Sequence, residues 1–589
     1  MKKILIVLLS FLLLSGCTQG KEVISSNISY TSELINFETK DKIDLKSDNE
    51  QFDEFIKDFT IESLKKMDFI TSTSFINKPE NFGLSEKTGG MESISYEFDK
   101  ETYDFYLSYL EKLKIFDYND LSKAQQYLYD SLEYSLYETL ASLENYRYDL
   151  AFSKRNDLIA NTFFTLADID LNSEQRVISY LETIATLDDY FKSLIDYTKK
   201  QYEEGIYTSD EALDYSISMI ESILSKGDNN SLILTFNNRL AELKEVKDSQ
   251  KYIEQNYDLV MNELFPYLKE MIEELKALKG REQTYTYELS DEYKDMLYAL
   301  NCSTNDSLTD ILNLLIDTYN DILEKAQNAL ENPSSLERLQ VYYDDPLFQL
   351  DEKEMLELIY EKSKDYYADI GEINFKISYF DDSLKDTNIM AYYKAYQLDN
   401  TKNNIIMVNP RTKKESDAYY YGQTISHEGI AGHMYIYSYY ANKGIEENAL
   451  MLSYTAYDEG MAMYAEYLLP YIMGYEDVAD IVAYDAISDY LIDSIFDIMI
   501  NYFGYDEKYM ADNFGVSTYS YNYYKEYPAV LTRYGVGFAY IYKYLNMTKE
   551  ALEEDFNYVK FNEMLMSDGP LPFTILDKKV EDYILNKGE

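Results

Sequence analysis

The chain contains two histidines, and both fall within Ser426-His427-Glu428-Gly429-Ile430-Ala431-Gly432-His433. Imidazole is the commonest metal ligand, and a carboxylate beside a metal-bound imidazole is placed to act as a general base. His427 and His433 are therefore the first two candidate ligands, and Glu428 is the candidate base. A third protein ligand would complete a site with one position left open, as catalytic zinc requires. Downstream lies Asp458-Glu459-Gly460-Met461-Ala462-Met463-Tyr464-Ala465-Glu466. In a helix, Glu459 and Glu466 share one face, whereas Asp458 is rotated about 100° from Glu459. Glu459 is the predicted third ligand, with Glu466 two turns further along to orient a ligand from behind. The donor types point to one Zn2+ ion, although imidazole also suits other metals.

The histidine spacing sets a geometric problem. Residues six apart on a regular helix point about 120° apart with a rise of about 9 Å, so both imidazoles cannot reach one ion. The helix must bulge or tighten between them, and Gly429 and Gly432 sit where a residue without Cβ tolerates a distorted backbone. This helix is predicted to start between Ser416 and Tyr420 and to contain both histidines. Before it, Ile373, Phe375, Ile377 and Tyr379 alternate with polar residues, and Ile405-Ile406-Met407-Val408 is a β-prone run ended by Asn409-Pro410. A small sheet is expected between Ile373 and Asn409. Its last strand is taken as an edge that an extended peptide could pair with.

Most of the remaining chain is predicted to be helical. Leu121 to Asn145, Ser173 to Gln201, Ser209 to Lys226 and Asn237 to Lys279 carry Leu, Ile, Tyr and Phe at three- and four-residue spacings, the signature of amphipathic helices. Turn-forming clusters at Lys226-Gly227-Asp228-Asn229-Asn230 and Asn332-Pro333-Ser334-Ser335 break the pattern. The fold class is mainly α, with an N-terminal helical lobe over 51–335 and a lobe bearing the metal site over 336–589, or one continuous body. With 64 tyrosines and no tryptophan, Tyr and Phe must supply the large aromatic packing.

Lys2 and Lys3, an apolar run from Ile4 to Leu14 and then Leu14-Ser15-Gly16-Cys17 have the zones of an export signal over residues 1–16. The Leu-Ser-Gly-Cys ending resembles the bacterial lipobox, which implies that Cys17 carries a lipid anchor on the outer face of the cell membrane. Residues 17–50, rich in Ser, Asn, Lys and Glu, form the expected tether. Cys302 is the other cysteine, so no disulfide framework exists. The 106 acidic against 54 basic residues give a formal charge of -52, which excludes nucleic acid as a natural partner and favours cations.

These segments resemble the bacterial family catalogued as domain of unknown function 885, grouped with zincin-type metallopeptidases. His427, Glu428, Gly432 and His433 match its His-Glu-Ala-x-Pro-Gly-His-His. Glu459, Gly460, Ala462, Tyr464, Ala465 and Glu466 match its Glu-Gly-Trp-Ala-Leu-Tyr-Ala-Glu. Pro528, Tyr534 and Gly537 match a later segment. The sequence departs at Gly429, Ala431, Met434 and Met461, and at Asp493 and Asn501, where the family carries Arg and His. The resemblance implies a zincin-like helical body with a deep channel. It also implies metal-assisted hydrolysis of a peptide substrate, in which zinc polarises the scissile carbonyl, Glu428 takes the proton of the attacking water, and Tyr534 or Asn501 donates to the oxyanion. The alternative is a lipoprotein that binds a metal or peptide without turning it over. Substrate length, exopeptidase or endopeptidase action and oligomeric state are not readable from these residues.

Overall fold

The computed structural model describes residues 49–155, 158–244, 246–380, 389–445 and 447–588. The export signal, Cys17 and nearly all of the tether lie outside the described residues. Among the described residues, the first helix starts at Glu50. Asn49 caps the helix Glu50–Lys66 by accepting from the backbone N–H groups of Gln51 and Phe52, satisfying two of the donors that a helix N-terminus leaves free.

The architecture is mainly α with one small sheet, as the periodicity predicts. The long amphipathic stretches are more segmented than their pattern suggests. Ser173 to Gln201 divides into Glu174–Ile184 and Leu187–Glu203, and Asn237 to Lys279 is interrupted after Glu242. Among the described residues, besides a small cluster around Leu64, Ile76 and Leu398, two large hydrophobic cores form. One gathers Phe163, Leu187, Leu194, Leu232, Phe236, Leu268 and their neighbours, almost wholly from 151–278. The other joins side chains of 52–140 to those of 293–583. A lobe boundary at 335 therefore does not coincide with a division of the core. The helices α1 (Asp291–Cys302) and α2 (Leu308–Leu330) pack into the larger body, because their apolar stripes, Met296 and Leu297 on one and Ile311, Leu315 and Ile322 on the other, are buried there.

Within that body, α3 (Ala418–Glu428) and α4 (His433–Lys443) carry the histidines. Helices α5 (Thr455–Ile472), α6 (Ala479–Asp497) and α7 (Thr532–Leu552) pack around them. α5 and α7 cross with backbone almost touching backbone. A Cβ on Gly460 would lie 2.4 Å from the Gly537 carbonyl carbon, and one on Gly537 would lie 2.0 Å from the Ala456 carbonyl oxygen. No side chain fits at either position, so this crossing fixes how near Glu459 and Tyr534 come. The tyrosines act as packing residues, with Tyr435, Tyr439, Tyr440, Tyr457, Tyr464 and Tyr540 among the largest fully buried side chains.

The sheet has strand order β1-β3-β2, formed by β1 (Phe375–Tyr379), β2 (Ala391–Lys394) and β3 (Asn404–Val408). β3 pairs in parallel with β1 and antiparallel with β2. The strand ending before Asn409 is thus the central one, contrary to the expectation of an edge. A continuous run of Ile and Val suits a strand covered on both sides, and Ile406 and Val408 are fully buried. The free edge toward the histidine helix belongs to β2.

Two stability tests follow from this packing. Ala at Gly537 forces the α5/α7 crossing apart and is expected to cost about 1–3 kcal/mol, read as a lower melting temperature; an unchanged melt would refute the close crossing. Glu138, in the helix Lys123–Asn145, has a buried Oε2 with no hydrogen-bond partner, and burial pushes its carboxyl from 4.5 up to about 8. The folded state then binds more protons than the unfolded one, so this group's contribution is full below pH 4.5 and is lost as pH rises through about 8. Glu138→Gln should melt above the wild type at pH 9, by at most a few kcal/mol at ~1.4 per unit of displacement, and approach it near pH 5. Melting curves that stay parallel across this range would contradict the assignment.

Candidate metal centre

The helix carrying His427 does not bulge to bring His433 alongside; it stops. α3 ends at Glu428 and α4 begins at His433, so the two histidines lie on separate helices rather than on one distorted helix. The reversal between them is made by Gly429-Ile430-Ala431-Gly432. A Cβ on Gly432 would stand 1.8 Å from the His427 carbonyl oxygen and 2.9 Å from that of Ser426, and one on Gly429 would strike Leu356 at 2.5 Å. The chain is folded flat over the end of α3, at a distance only glycine allows. Ser426 Oγ donates to the Ile430 carbonyl at 2.8 Å, and the Tyr435 and Ile436 amides donate to the Gly429 and Gly432 carbonyls at 3.1 Å. The reversal is therefore tied at both ends.

Its result is that the imidazoles meet, with ring centroids 5.0 Å apart and planes at 81°. Glu459, from the first half of α5, points between them. Its Oε2 lies 3.4 Å from His427 Nε2 and 3.6 Å from His433 Nε2. Bonds of about 2.0–2.1 Å to a tetrahedral ion place neighbouring ligand atoms roughly 3.3 Å apart. The two Glu459 separations match the edge of such a tetrahedron, and all three candidate ligand atoms lie within 4.8 Å of one another. His433 and Glu459 keep 16% and 19% of their side-chain surface exposed. Two imidazole nitrogens and one carboxylate are donor types that suit a zinc ion.

Behind the ligands, His427 Nδ1 is 2.8 Å from Glu466 Oε1. Glu466 lies two turns beyond Glu459 on α5, as their seven-residue spacing requires. A carboxylate on Nδ1 fixes that nitrogen as the protonated one and directs the Nε2 lone pair toward Glu459 and the metal position. Burial opposes charge on both imidazoles, but the surrounding carboxylates outweigh it and raise both, His427 well above its ordinary value. Burial likewise opposes charge on Glu459, yet the two histidines hold its carboxyl well below the usual range. Positive charge is what this pocket of carboxylates is built to hold.

Glu428, the last residue of α3, turns toward β2. Its Oε2 accepts the backbone N–H of Tyr393 at 2.8 Å, a donor that sequence reasoning missed and that no side-chain pattern signals. Tyr534, in the first turn of α7, lies near Glu459, and burial together with that carboxylate's charge holds its phenol above the usual range. Its ring centroid is 5.5 Å from that of Tyr490, with the planes tilted by 40°. Asn501 is not brought into this group. Its side-chain amide donates to the Tyr524 carbonyl at 2.8 Å. Asp493 accepts the Tyr524 hydroxyl at 2.7 Å, so both positions serve to seat the helix Thr518–Glu526. Asp458 accepts the Ser453 hydroxyl at 3.4 Å, and burial pushes its carboxyl up to about 7. Cys302 is a buried free thiol that burial pushes up to about 12, which makes it a packing group.

Comparison with known proteins gives the same overall architecture. The family described as "Bacterial protein of unknown function (DUF885)" matches residues 79–580. Among solved structures, a candidate lipoprotein from Colwellia psychrerythraea aligns with a TM-score of 0.76 at 15% identity, covering 91% of this chain and 99% of that one. A candidate lipoprotein of unknown function from Shewanella oneidensis aligns with a TM-score of 0.57 at 14% identity over the same shares. At these identities the likeness is one of fold. No curated protein matches the sequence. No helix among the described residues is long and apolar enough to cross a membrane.

Elemental mass spectrometry on protein purified without chelator should find close to one zinc per chain. His427→Ala and Glu459→Ala should abolish it, Gly432→Ala should do so by moving His433, and Glu466→Gln should weaken it about 10–100-fold. Full metal retention in His427→Ala would rule this centre out.

Proposed function

We propose, from the premise that the chain belongs to the bacterial protein family DUF885, that it is a zinc-dependent peptidase working outside the cytoplasmic membrane. The observation that carries this reading is the 3.4 and 3.6 Å spacing of Glu459 Oε2 from the two imidazoles, with an uncommitted carboxylate oxygen of Glu428 and a neutral phenol of Tyr534 beside them.

A zinc ion held there would polarise a scissile carbonyl and lower the pKa of a water to about 7. The protein groups supply the rest. Glu428, oriented by the Tyr393 amide through Oε2, has Oε1 free to take the proton of the attacking water and return it to the leaving amine. Glu466 holds the His427 tautomer through the cycle. Tyr534 keeps its proton and is the donor on hand for the charge that develops on the carbonyl oxygen. The small sheet lies on the Glu428 side, and the outer edge of β2, rather than β3, is the one a peptide would run along.

The lipobox-like ending at Cys17 and the likeness to two candidate lipoproteins support a lipid anchor as the means of attachment. A second reading, a metal- or peptide-binding lipoprotein without turnover, is favoured by one observation: Asn501, the other candidate oxyanion donor, has its amide on the Tyr524 carbonyl.

Zinc-loaded protein incubated with a mixed peptide library and followed by mass spectrometry distinguishes the two. Cleavage is expected. Glu428→Gln should retain zinc and lose about 10²–10⁴ in kcat, and Tyr534→Phe should lose about 10²–10³. A fully metallated wild type that leaves the whole library intact would give the second reading the field.

A further inference from the structure

Arg533 stands next to Tyr534 in the first turn of α7, and its bonding differs from that of Arg155, Arg176, Arg239 and Arg338. Arg155 pairs with Asp149 at 2.7 Å, Arg176 with Glu86 at 3.0 Å and Arg338 with Asp477 at 3.3 Å. Arg239 spends its guanidinium on the Ile169 and Leu166 carbonyls. Arg533 has no carboxylate within 4 Å among the described residues. Its one side-chain bond is Nη2 to the neutral Asn301 Oδ1 at 2.8 Å. Its Nε is buried with no acceptor at all.

Arg239 also lacks a counter-charge among the described residues, but its guanidinium N–H groups end on backbone carbonyls, whereas Arg533 keeps a buried Nε without an acceptor in a chain carrying a formal charge of -52. A buried donor without a partner is costly, and a guanidinium is shaped to take a carboxylate with two parallel N–H groups. Asn301 fixes one end of the fork and leaves the rest unfilled. The position matters equally. α7 is packed against α1, α5 and α6, and Tyr534, one residue on, feels the charges of Glu459, Arg533 and Glu428. Glu428 and Glu459 bring negative charge to this neighbourhood, which would repel an anionic substrate unless a cation received it.

We infer that Arg533 is a specificity-determining residue that receives the C-terminal carboxylate of a peptide substrate, so that the centre acts on the ends of chains. This rests on the peptidase reading above. A carboxylate held by Arg533 makes the residue that carries it the last of the substrate, so the products are a shortened peptide and a free amino acid or short peptide.

The test uses two probes, N-acetyl-tetraalanine with a free C-terminal carboxylate and the same peptide as its C-terminal amide. Their affinities for zinc-loaded Glu428→Gln protein are measured by calorimetry, where no cleavage blurs the result. The acid is expected to bind at least ~10-fold more tightly than the amide, the scale of a charged hydrogen bond. Adding Arg533→Gln should bring the two within about twofold, and Arg533→Lys, which keeps charge but not the fork, should retain part of the preference. Equal affinities, no binding of either peptide, or a preference that survives Arg533→Gln overturns the inference. Carboxylate preference in a protein that cleaves nothing would instead sink the peptidase reading and leave Arg533 as the anchor of a peptide-binding site.

Discussion

The centre depends first on two helices being able to touch at their backbones. Gly460 and Gly537 leave α5 and α7 no side chain to hold them apart, and every group beyond the histidine pair hangs on that contact. Glu459 precedes Gly460, Glu466 lies two turns further along α5, and Arg533 and Tyr534 sit one turn before Gly537. Helices normally pack 8–10 Å apart because side chains interleave. Here the crossing is closer than ordinary interleaving permits, and the gain is a shared wall on which one helix offers a ligand while the other offers a phenol and a guanidinium.

The second constraint is electrostatic. Burying two imidazoles among Glu428, Glu459 and Glu466 costs solvation that ordinary ion pairs recover incompletely. The raised histidines and the lowered Glu459 describe a cluster that recruits protons when no other cation is there. A divalent ion answers the same demand with more charge at a single point and shorter bonds. The acidity of the whole chain works in the same direction at long range, by concentrating cations near the molecule.

How much of this was legible in the sequence follows from what each signal encodes. Residue type and periodicity pointed to the cluster: two histidines close together and a glutamate pair seven apart on a helical pattern single out His427, His433, Glu459 and Glu466, which the fold brings together. The same logic gave the mainly α class and the sheet before the histidine helix. Backbone detail was less accessible. Gly429 and Gly432 signalled a distortion, but a bulge and a full reversal ask for the same residue. The β3 run of Ile and Val marked a strand without saying whether it was central, since pairing depends on where β1 and β2 return. Asn501 was misjudged as a donor to the site because proximity along a helix says nothing of Tyr524, which arrives from a later segment and takes its amide. Arg533 was in plain view beside Tyr534, but the absence of a counter-charge is a three-dimensional fact.

The bond from the Tyr393 amide to Glu428 has a bearing on how this region can change over generations. A main-chain donor is the same whatever side chain it carries, so the orientation of the carboxylate is indifferent to residue type at position 393. The tyrosine itself answers to other partners, with its hydroxyl on Asn404 and its ring against Tyr437. Drift at this position would therefore register as altered sheet stability while leaving the carboxylate aligned. Proline alone, which has no N–H to give, would register in the chemistry, so a residue with wide latitude in sequence conceals a donor with almost none.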